Sequence, residues 1–102
     1  MAAKEDEELE SLFDPRSIAV IGASRKEGKV GYTLFSNIIQ SDYDGDVYPI
    51  NPKGGEVLGR EIYESIEEAP DPIDLAVIVV PAKGVKEVVH QCGEKGVKYA
   101  IV

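Results

Sequence analysis

Residues 17–31 read SIAVIGASRKEGKVG, and their pattern gives the strongest indication of the fold class. Its first part, residues 17–22, is a nearly continuous apolar run, which is typical of a strand buried on both faces of a parallel sheet. From Gly31 the spacing of the apolar residues becomes helical, and it predicts a helix that ends near Gln40. The residues on its apolar face are Leu34, Phe35, Ile38 and Ile39. The stretch therefore predicts a strand, a glycine-rich loop and a helix in succession.

The rest of the chain continues this alternation. Residues 47–50 and 74–80 are apolar runs that predict strands, and a proline follows each of them closely. The helix predicted over residues 82–95 has Gly96 as its C-terminal cap, and residues 97–102 begin another strand. This order predicts an α/β fold with a Rossmann-like, doubly wound parallel sheet and helices on both of its faces.

The segment between these central strands is less regular. Residues 56–58 and 61–63 flank Gly59-Arg60, and they predict a small hairpin or an irregular strand. Ser65 is predicted to cap a short helix that runs through Glu68, which stands at the capping-box position.

Length and composition fit one folded domain. The chain has 102 residues, of which 43% are hydrophobic and 29% charged, so it holds a single core. Five acids and one base fall within the first ten residues. We therefore expect an acidic N-terminal lead-in over residues 1–11, followed by one domain over residues 12–102.

The overall charge argues against several classes of partner. A formal net charge of −8 repels nucleic acid and anionic membrane surfaces, so neither is expected as a partner. Cys92 is the single cysteine and cannot form an internal disulfide, which fits a reducing compartment. The sequence has no signal-peptide pattern and no apolar run long enough to span a membrane, so we expect a cytoplasmic protein.

The loop after the first strand has the features of a phosphate site. It lies between a buried strand and a helix, contains glycines at 22, 28 and 31, and carries the bases Arg25, Lys26 and Lys29. Free backbone N–H groups and the helix dipole favour an anion at such a place, and Ser24 adds a hydroxyl donor. The spacing matches neither the G-x-G-x-x-G fingerprint of dinucleotide enzymes nor a P-loop.

The residues at the end of the second strand narrow the choice of ligand. In NAD-binding domains an acid at this place bonds the ribose 2′-hydroxyl. Here the residues are Asn51-Pro52-Lys53, and the lysine suits a ribose that carries a phosphate. Both NADP and coenzyme A contain one. Residues 80–82, Val-Pro-Ala, follow the central strand and predict a flat apolar surface for an adenine ring or a pantetheine arm.

Catalytic groups are not expected in this chain. His90 falls outside the apolar stripe of its helix, and Cys92 falls on that stripe as a small core residue. The stripe consists of Val85, Val88, Val89 and Cys92. No spacing of cysteines and histidines indicates a metal site.

Four blocks of sequence closely resemble a known family. They are LFDPRSIAVIGAS at residues 12–24, YPINPK at 48–53, DLAVIVVPA at 74–82 and CGEKGVK at 92–98. They resemble the CoA-binding domain of NDP-forming acyl-CoA synthetases, such as ADP-forming acetate–CoA ligase and, more distantly, the α-subunit of succinyl-CoA synthetase. The resemblance implies that CoA or an acyl-CoA is the ligand. The expected cofactor-binding residues are Gly22, Ala23, Ser24, Arg25, Lys26, Gly28, Lys29, Val30, Gly31, Asn51, Pro52, Lys53, Val80, Pro81 and Ala82.

The chain departs from that family in what it lacks. Family members pass a phosphoryl group through a histidine of a later domain, and His90 does not match that histidine. The sheet also looks incomplete at its C-terminal edge. We therefore expect ligand binding without turnover, with the remaining synthetase domains or subunits as partners. A stand-alone CoA-sensing module, an NADP-binding domain and an oligomer stay open as alternatives.

Overall fold

The structure, a computed structural model, describes residues 14–102, so the expected acidic lead-in over residues 1–11 lies outside the described residues. In chain order the elements are β1 (Ser17–Ile21), α1 (Val30–Gln40), β2 (Asp46–Ile50), β3 (Glu56–Val57), β4 (Arg60–Glu61), a 3₁₀ helix (Ile66–Glu68), β5 (Leu75–Ile78), α2 (Ala82–Lys95) and β6 (Tyr99–Ile101).

Four of the strands form one parallel sheet, in the order β2-β1-β5-β6. Every residue of β1 is buried. Its side chains alternate between two clusters, with Val20 packed near Phe35 of α1 on one face and Ala19 near Cys92 of α2 on the other. The predicted doubly wound α/β sheet with helices on both faces is confirmed.

Two glycines permit the tight packing at the carboxyl end of β1. Gly22 has a φ of +101°, and a Cβ atom there would lie 1.9 Å from the carbonyl oxygen of Val79. A Cβ atom at Gly31, in the first turn of α1, would lie 2.0 Å from the carbonyl oxygen of Gly22. Neither backbone neighbour can move by an ångström. The end of β1 can therefore contact the β5 segment and α1 this closely only because residues 22 and 31 are glycines.

The irregular segment between β2 and β5 contains a hairpin, which is one of the two structures that its sequence predicts. Strands β3 and β4 pair antiparallel, with Val57 opposite Arg60. The turn therefore lies at Leu58-Gly59, one residue earlier than predicted, and both residues have positive φ, 50° and 78°. This fits the two-residue turns that suit the twist of a hairpin.

Three details differ from the predictions. Ser65 makes no side-chain capping bond to the 3₁₀ helix. Strand β5 ends at Ile78, two residues before the predicted end, and the Val79 N–H still donates to the Ile21 carbonyl at 2.7 Å. Val89 is 43% exposed, because it lies about 60° around the helix from Cys92, at the rim of the apolar stripe.

The packing around Gly31 leads to a stability prediction. We expect Gly31→Ala to destabilise the fold by at least about 1–3 kcal/mol, since the methyl group overlaps backbone atoms. Gly93→Ala is the matched control. Gly93 is an exposed position within α2 where a Cβ atom meets nothing within 4 Å, so it should stabilise by about 0.4–1 kcal/mol. Urea unfolding followed by circular dichroism measures both; equal effects of the two changes would contradict the account.

Candidate functional site

The site lies at the carboxyl ends of β1 and β2, which are neighbours in the sheet. The backbone N–H of Gly22 donates to the carbonyl of Ile50 at 2.8 Å, and this bond continues the ladder between the two strands. Beyond it the chain leaves β1 in one loop, residues 22–29, and leaves β2 in a second loop, residues 51–55. In open α/β sheets, ligands bind beyond the carboxyl ends of the strands, beside loops of this kind.

The two loops enclose a cavity of about 230 Å³. Its lining residues are Ala23, Ser24, Arg25, Lys26, Lys29, Asn51, Lys53, Gly54 and Ile62. Four of them are cationic, and none of these lining residues is acidic. A chain with a net charge of −8 thus has a local positive concavity, in which the field favours a polyanionic ligand.

Backbone groups add to this positive field. Helix α1 begins at the cavity, because its N-cap residue, Lys29, is among the lining residues. The helix has no side-chain capping bond and no acidic residue in its first turn. Its first turn therefore brings no acidic side chain of its own to compete for the N–H groups and the dipole, as suits an anion-binding helix start.

Ser24 is oriented for donation. Its Oγ accepts a hydrogen bond of 3.1 Å from the backbone N–H of Lys26. Because the oxygen is used as an acceptor, the hydroxyl proton can be donated to an anion in the cavity. This bond closes a short turn within the loop, and the turn holds Lys26 at the cavity.

Asn51 shapes the second loop. Its Oδ1 accepts from the backbone N–H of Lys53 at 2.9 Å, and its carbonyl accepts from the N–H of Gly54 at 2.9 Å. These bonds close a tight turn and leave the Lys53 side chain exposed at the cavity. The other polar atom of the Asn51 side chain, Nδ2, donates to the carbonyl of Ala23 in the first loop at 2.9 Å.

Arg25 also reaches from the first loop to the second. A Cβ atom at Gly55 would lie 2.9 Å from the Arg25 Cδ, so the arginine side chain lies against the bare backbone of Gly55. The Glu64 side chain packs against Gly54 in a similar way but is not one of the lining residues. The glycine pair therefore leaves room for an arginine between the loops.

The structure brings together some of the expected residues and separates others. Gly22 and Gly31 shape the strand end without lining the cavity, and Gly28 and Val30 border a separate shallow depression on α1. Pro52 is exposed. The residues Val80, Pro81 and Ala82 lie at the end of β5 and the start of α2, outside the cavity lining, with Val80 packed against the core and the other two exposed.

Two lining residues were missed by the sequence analysis. Gly54 directly follows Lys53, so its place at the cavity could have been read from the turn. Ile62 gives no such signal, because it reaches the cavity only through the β3–β4 hairpin, where its N–H donates to the Gly55 carbonyl at 2.8 Å.

His90 and Cys92 lie away from the cavity lining. The His90 side chain is 73% exposed, and its Nε2 is 3.4 Å from a Glu94 carboxylate oxygen. Cys92 is buried in the core, and this burial raises the pKa of its thiol. Within residues 14–102, no group of three or more histidine, cysteine or acidic residues is placed to hold a metal ion, and no helix is long and apolar enough to cross a membrane.

Comparisons with known proteins give matches over most of the chain. A family model described as a CoA binding domain matches residues 16–102. The α subunit of ADP-forming acetate–CoA ligase I from Pyrococcus furiosus is 55% identical over 94 residues, a match that covers 88% of this chain and 20% of the subunit. The ADP-forming acetate–CoA ligase of Methanocaldococcus jannaschii is 50% identical over 97 residues, covering 95% of this chain and 14% of the ligase.

A solved structure shows the same fold. The apo form of the dinucleotide forming acetyl-coenzyme A synthetase 1 from Ca. Korarchaeum cryptofilum has a TM-score of 0.88 and 44% sequence identity with this chain. The match covers 92% of this chain and 20% of that one. The chain thus spans only 14% to 20% of the length of these relatives.

The burial of Cys92 leads to a reactivity prediction. A thiol reacts as its thiolate, and both burial and a raised pKa suppress that form. We expect Ellman's reagent at pH 8 to modify the native protein only as fast as the core opens, and to modify the guanidinium-unfolded chain at once. Rapid modification of the native protein would contradict the placement of Cys92 in the core.

Proposed function

The chain belongs to the CoA binding domain family, and on that basis we propose that the cavity between the two loops binds the 3′-phospho-ADP moiety of coenzyme A. The observation that carries the proposal is the concentration of four cationic side chains and an uncapped helix start around one cavity of an acidic protein.

The charges of ligand and cavity are well matched. The 3′-phosphate of CoA is a monoester with a charge of about −1.5 to −2 at pH 7, and the diphosphate adds further negative charge at the other side of the ribose. Arg25, Lys26 and Lys29 come from the first loop and Lys53 from the second. A ligand with two separated phosphate groups can neutralise both sets at once.

The position of each set suggests which phosphate it meets. The first loop provides Ser24, its lysines and the start of α1, a combination that suits the diphosphate. Lys53 follows β2, at the place where an acid would bond an unmodified ribose in an NAD-binding domain. We assign it to the 3′-phosphate. NADP also carries a ribose phosphate, and family membership places CoA ahead of it.

The size of the cavity bears on the remainder of the ligand. Its volume of about 230 Å³ is below the range of about 300–1,000 Å³ for pockets that enclose a whole drug-sized ligand. In this proposal the cavity holds the charged nucleotide end, and the pantetheine arm extends outward along the crevice towards residues 80–82. The thiol is then available to chemistry elsewhere.

We further propose that this chain is the CoA-holding part of an ADP-forming acyl-CoA synthetase and performs no turnover alone. The names of its relatives and its small share of their length support this assignment. The exposed His90 and the buried Cys92 are poor candidates for a catalytic group. The remaining synthetase domains or subunits are the proposed partners.

Titration calorimetry with Lys53→Gln tests the ligand assignment. We expect wild-type protein to bind CoA more tightly than dephospho-CoA, NADP or NAD. Lys53→Gln should weaken CoA binding by about tenfold or more, since a hydrogen bond to a charged group is worth about 1.5–3 kcal/mol, and should leave dephospho-CoA binding nearly unchanged. Arg16→Gln is the control, because it removes the same charge at the opposite end of β1, where Arg16 is exposed. Equal wild-type affinity for CoA and dephospho-CoA, or tighter NADP binding, would refute the assignment.

An activity assay tests the second proposal. The chain, mixed with an acyl-CoA, ADP, phosphate and Mg²⁺, is expected to form no ATP above the protein-free blank, because no phosphoryl-carrying group is proposed in it. The M. jannaschii ligase serves as the positive control. ATP formation by this chain would show that it contains catalytic groups of its own.

A further inference from the structure

One side chain, that of Asn51, joins the two loops of the cavity. Its Nδ2 donates to the carbonyl of Ala23 in the first loop, and its Oδ1 accepts from the N–H of Lys53 in the second, both at 2.9 Å. Its backbone is held as well, because its N–H donates to Tyr63 at 2.9 Å and its carbonyl accepts from Gly54 at 2.9 Å. Asn51 is thus held by four hydrogen bonds within the protein.

The hydrogen bond from Asn51 to Ala23 connects the two loops just beyond the last backbone bond between β1 and β2. The backbone ladder between β1 and β2 ends with the bond from Gly22 to Ile50. Gly22 has a positive φ, and Pro52, which follows Asn51, has no N–H to donate, so the backbone ladder does not extend to the carbonyl of Ala23. The Asn51 amide reaches it instead. Ala23 is completely buried, and a buried carbonyl left without a partner costs about 1–3 kcal/mol.

The consequence is a fixed spacing between the two sets of cations. Ser24 follows Ala23 directly and binds Lys26, and Lys53 follows Asn51 after one residue. The Asn51 amide thus ties the loop of Lys53 to the loop that holds the other cations, beside the contact of Arg25 with Gly55. Each polar atom of the Asn51 side chain makes one hydrogen bond within the protein, so the two loops together set the orientation of the amide.

We propose that Asn51 is a positioning residue that sets the distance between Lys53 and the first loop, and thereby the selectivity for a ligand with two separated phosphate groups. The inference rests on the proposed CoA-binding function. It predicts that loss of the hydrogen bond from the Asn51 side chain to Ala23 lowers the affinity for CoA more than the affinity for dephospho-CoA, which has the diphosphate but lacks the 3′-phosphate.

Asn51→Ser is the most direct variant. A serine hydroxyl can still accept from the Lys53 N–H, as in other Ser/Thr turns, but it is too short to donate to Ala23. It also leaves the charge unchanged. We expect CoA affinity to fall by about tenfold and dephospho-CoA affinity by less than threefold, as measured by calorimetry. Asn37→Ser, at an exposed position on α1, is the matched control and should preserve both affinities.

A double-mutant cycle with Lys53→Gln separates positioning from a general structural role. If Asn51 acts through Lys53, Lys53→Gln should weaken CoA binding strongly in the wild type and only slightly in the Asn51→Ser background. Additive effects, or an unchanged ratio of the two affinities in Asn51→Ser, would overturn the inference even if the variant is less stable.

A second variant keeps the inference testable if Asn51→Ser does not fold. Asn51→Thr keeps an acceptor for the Lys53 N–H and leaves the charge unchanged but is too short to donate to Ala23, and its β-branched side chain suits the extended backbone before Pro52. An undiminished preference for CoA in this variant would also overturn the inference. Failure of the proposed function itself has a different signature, because the wild-type protein would then show no preference for CoA over dephospho-CoA.

Discussion

The structure depends on backbone contact at the carboxyl end of β1. Gly22 lies so close to Val79 of the neighbouring β5 segment, and Gly31 so close to Gly22, that a methyl group at either glycine would overlap a carbonyl oxygen. This contact fixes where β1 ends and where α1 begins. It therefore fixes the loop between them, which contains Ser24 and three of the four cations of the cavity. The position of the site follows from a packing constraint and not from the ligand-facing residues themselves.

The electrostatics of the site depend on the same geometry. The chain as a whole is strongly acidic, and a scattered arrangement of its bases would give no attraction for an anion. The sheet order places the loops after β1 and β2 side by side. Cations that are 24 to 28 positions apart in sequence, such as Lys29 and Lys53 or Arg25 and Lys53, are thereby gathered around one cavity. The start of α1, which has no acidic residue in its first turn, adds backbone dipoles to the same field.

Local patterns predicted much of this fold, and long-range contacts account for what they missed. The apolar run of β1, the helical spacing of α1 and the left-handed cap at Gly96 are properties of short segments, and all three were found. The bond from Asn51 to Ala23 joins residues 28 positions apart, and Ile62 reaches the cavity through a hairpin. Neither contact has a local signal. The sequence predicts an apolar ligand surface at residues 80–82, and the structure places these residues outside the cavity lining, around the start of α2.

The cavity between the two loops is proposed to receive the nucleotide end of CoA. Titration of the ¹⁵N-labelled protein with 3′-phospho-ADP, followed through backbone amide shifts, is the sharpest test of this placement. We expect saturable shifts concentrated in residues 23–29 and 51–54, with much weaker binding of ADP. Shifts concentrated instead in the groove beside the outer edge of β2, around Tyr48, Arg60 and Tyr63, or no saturable shifts at all, would contradict it.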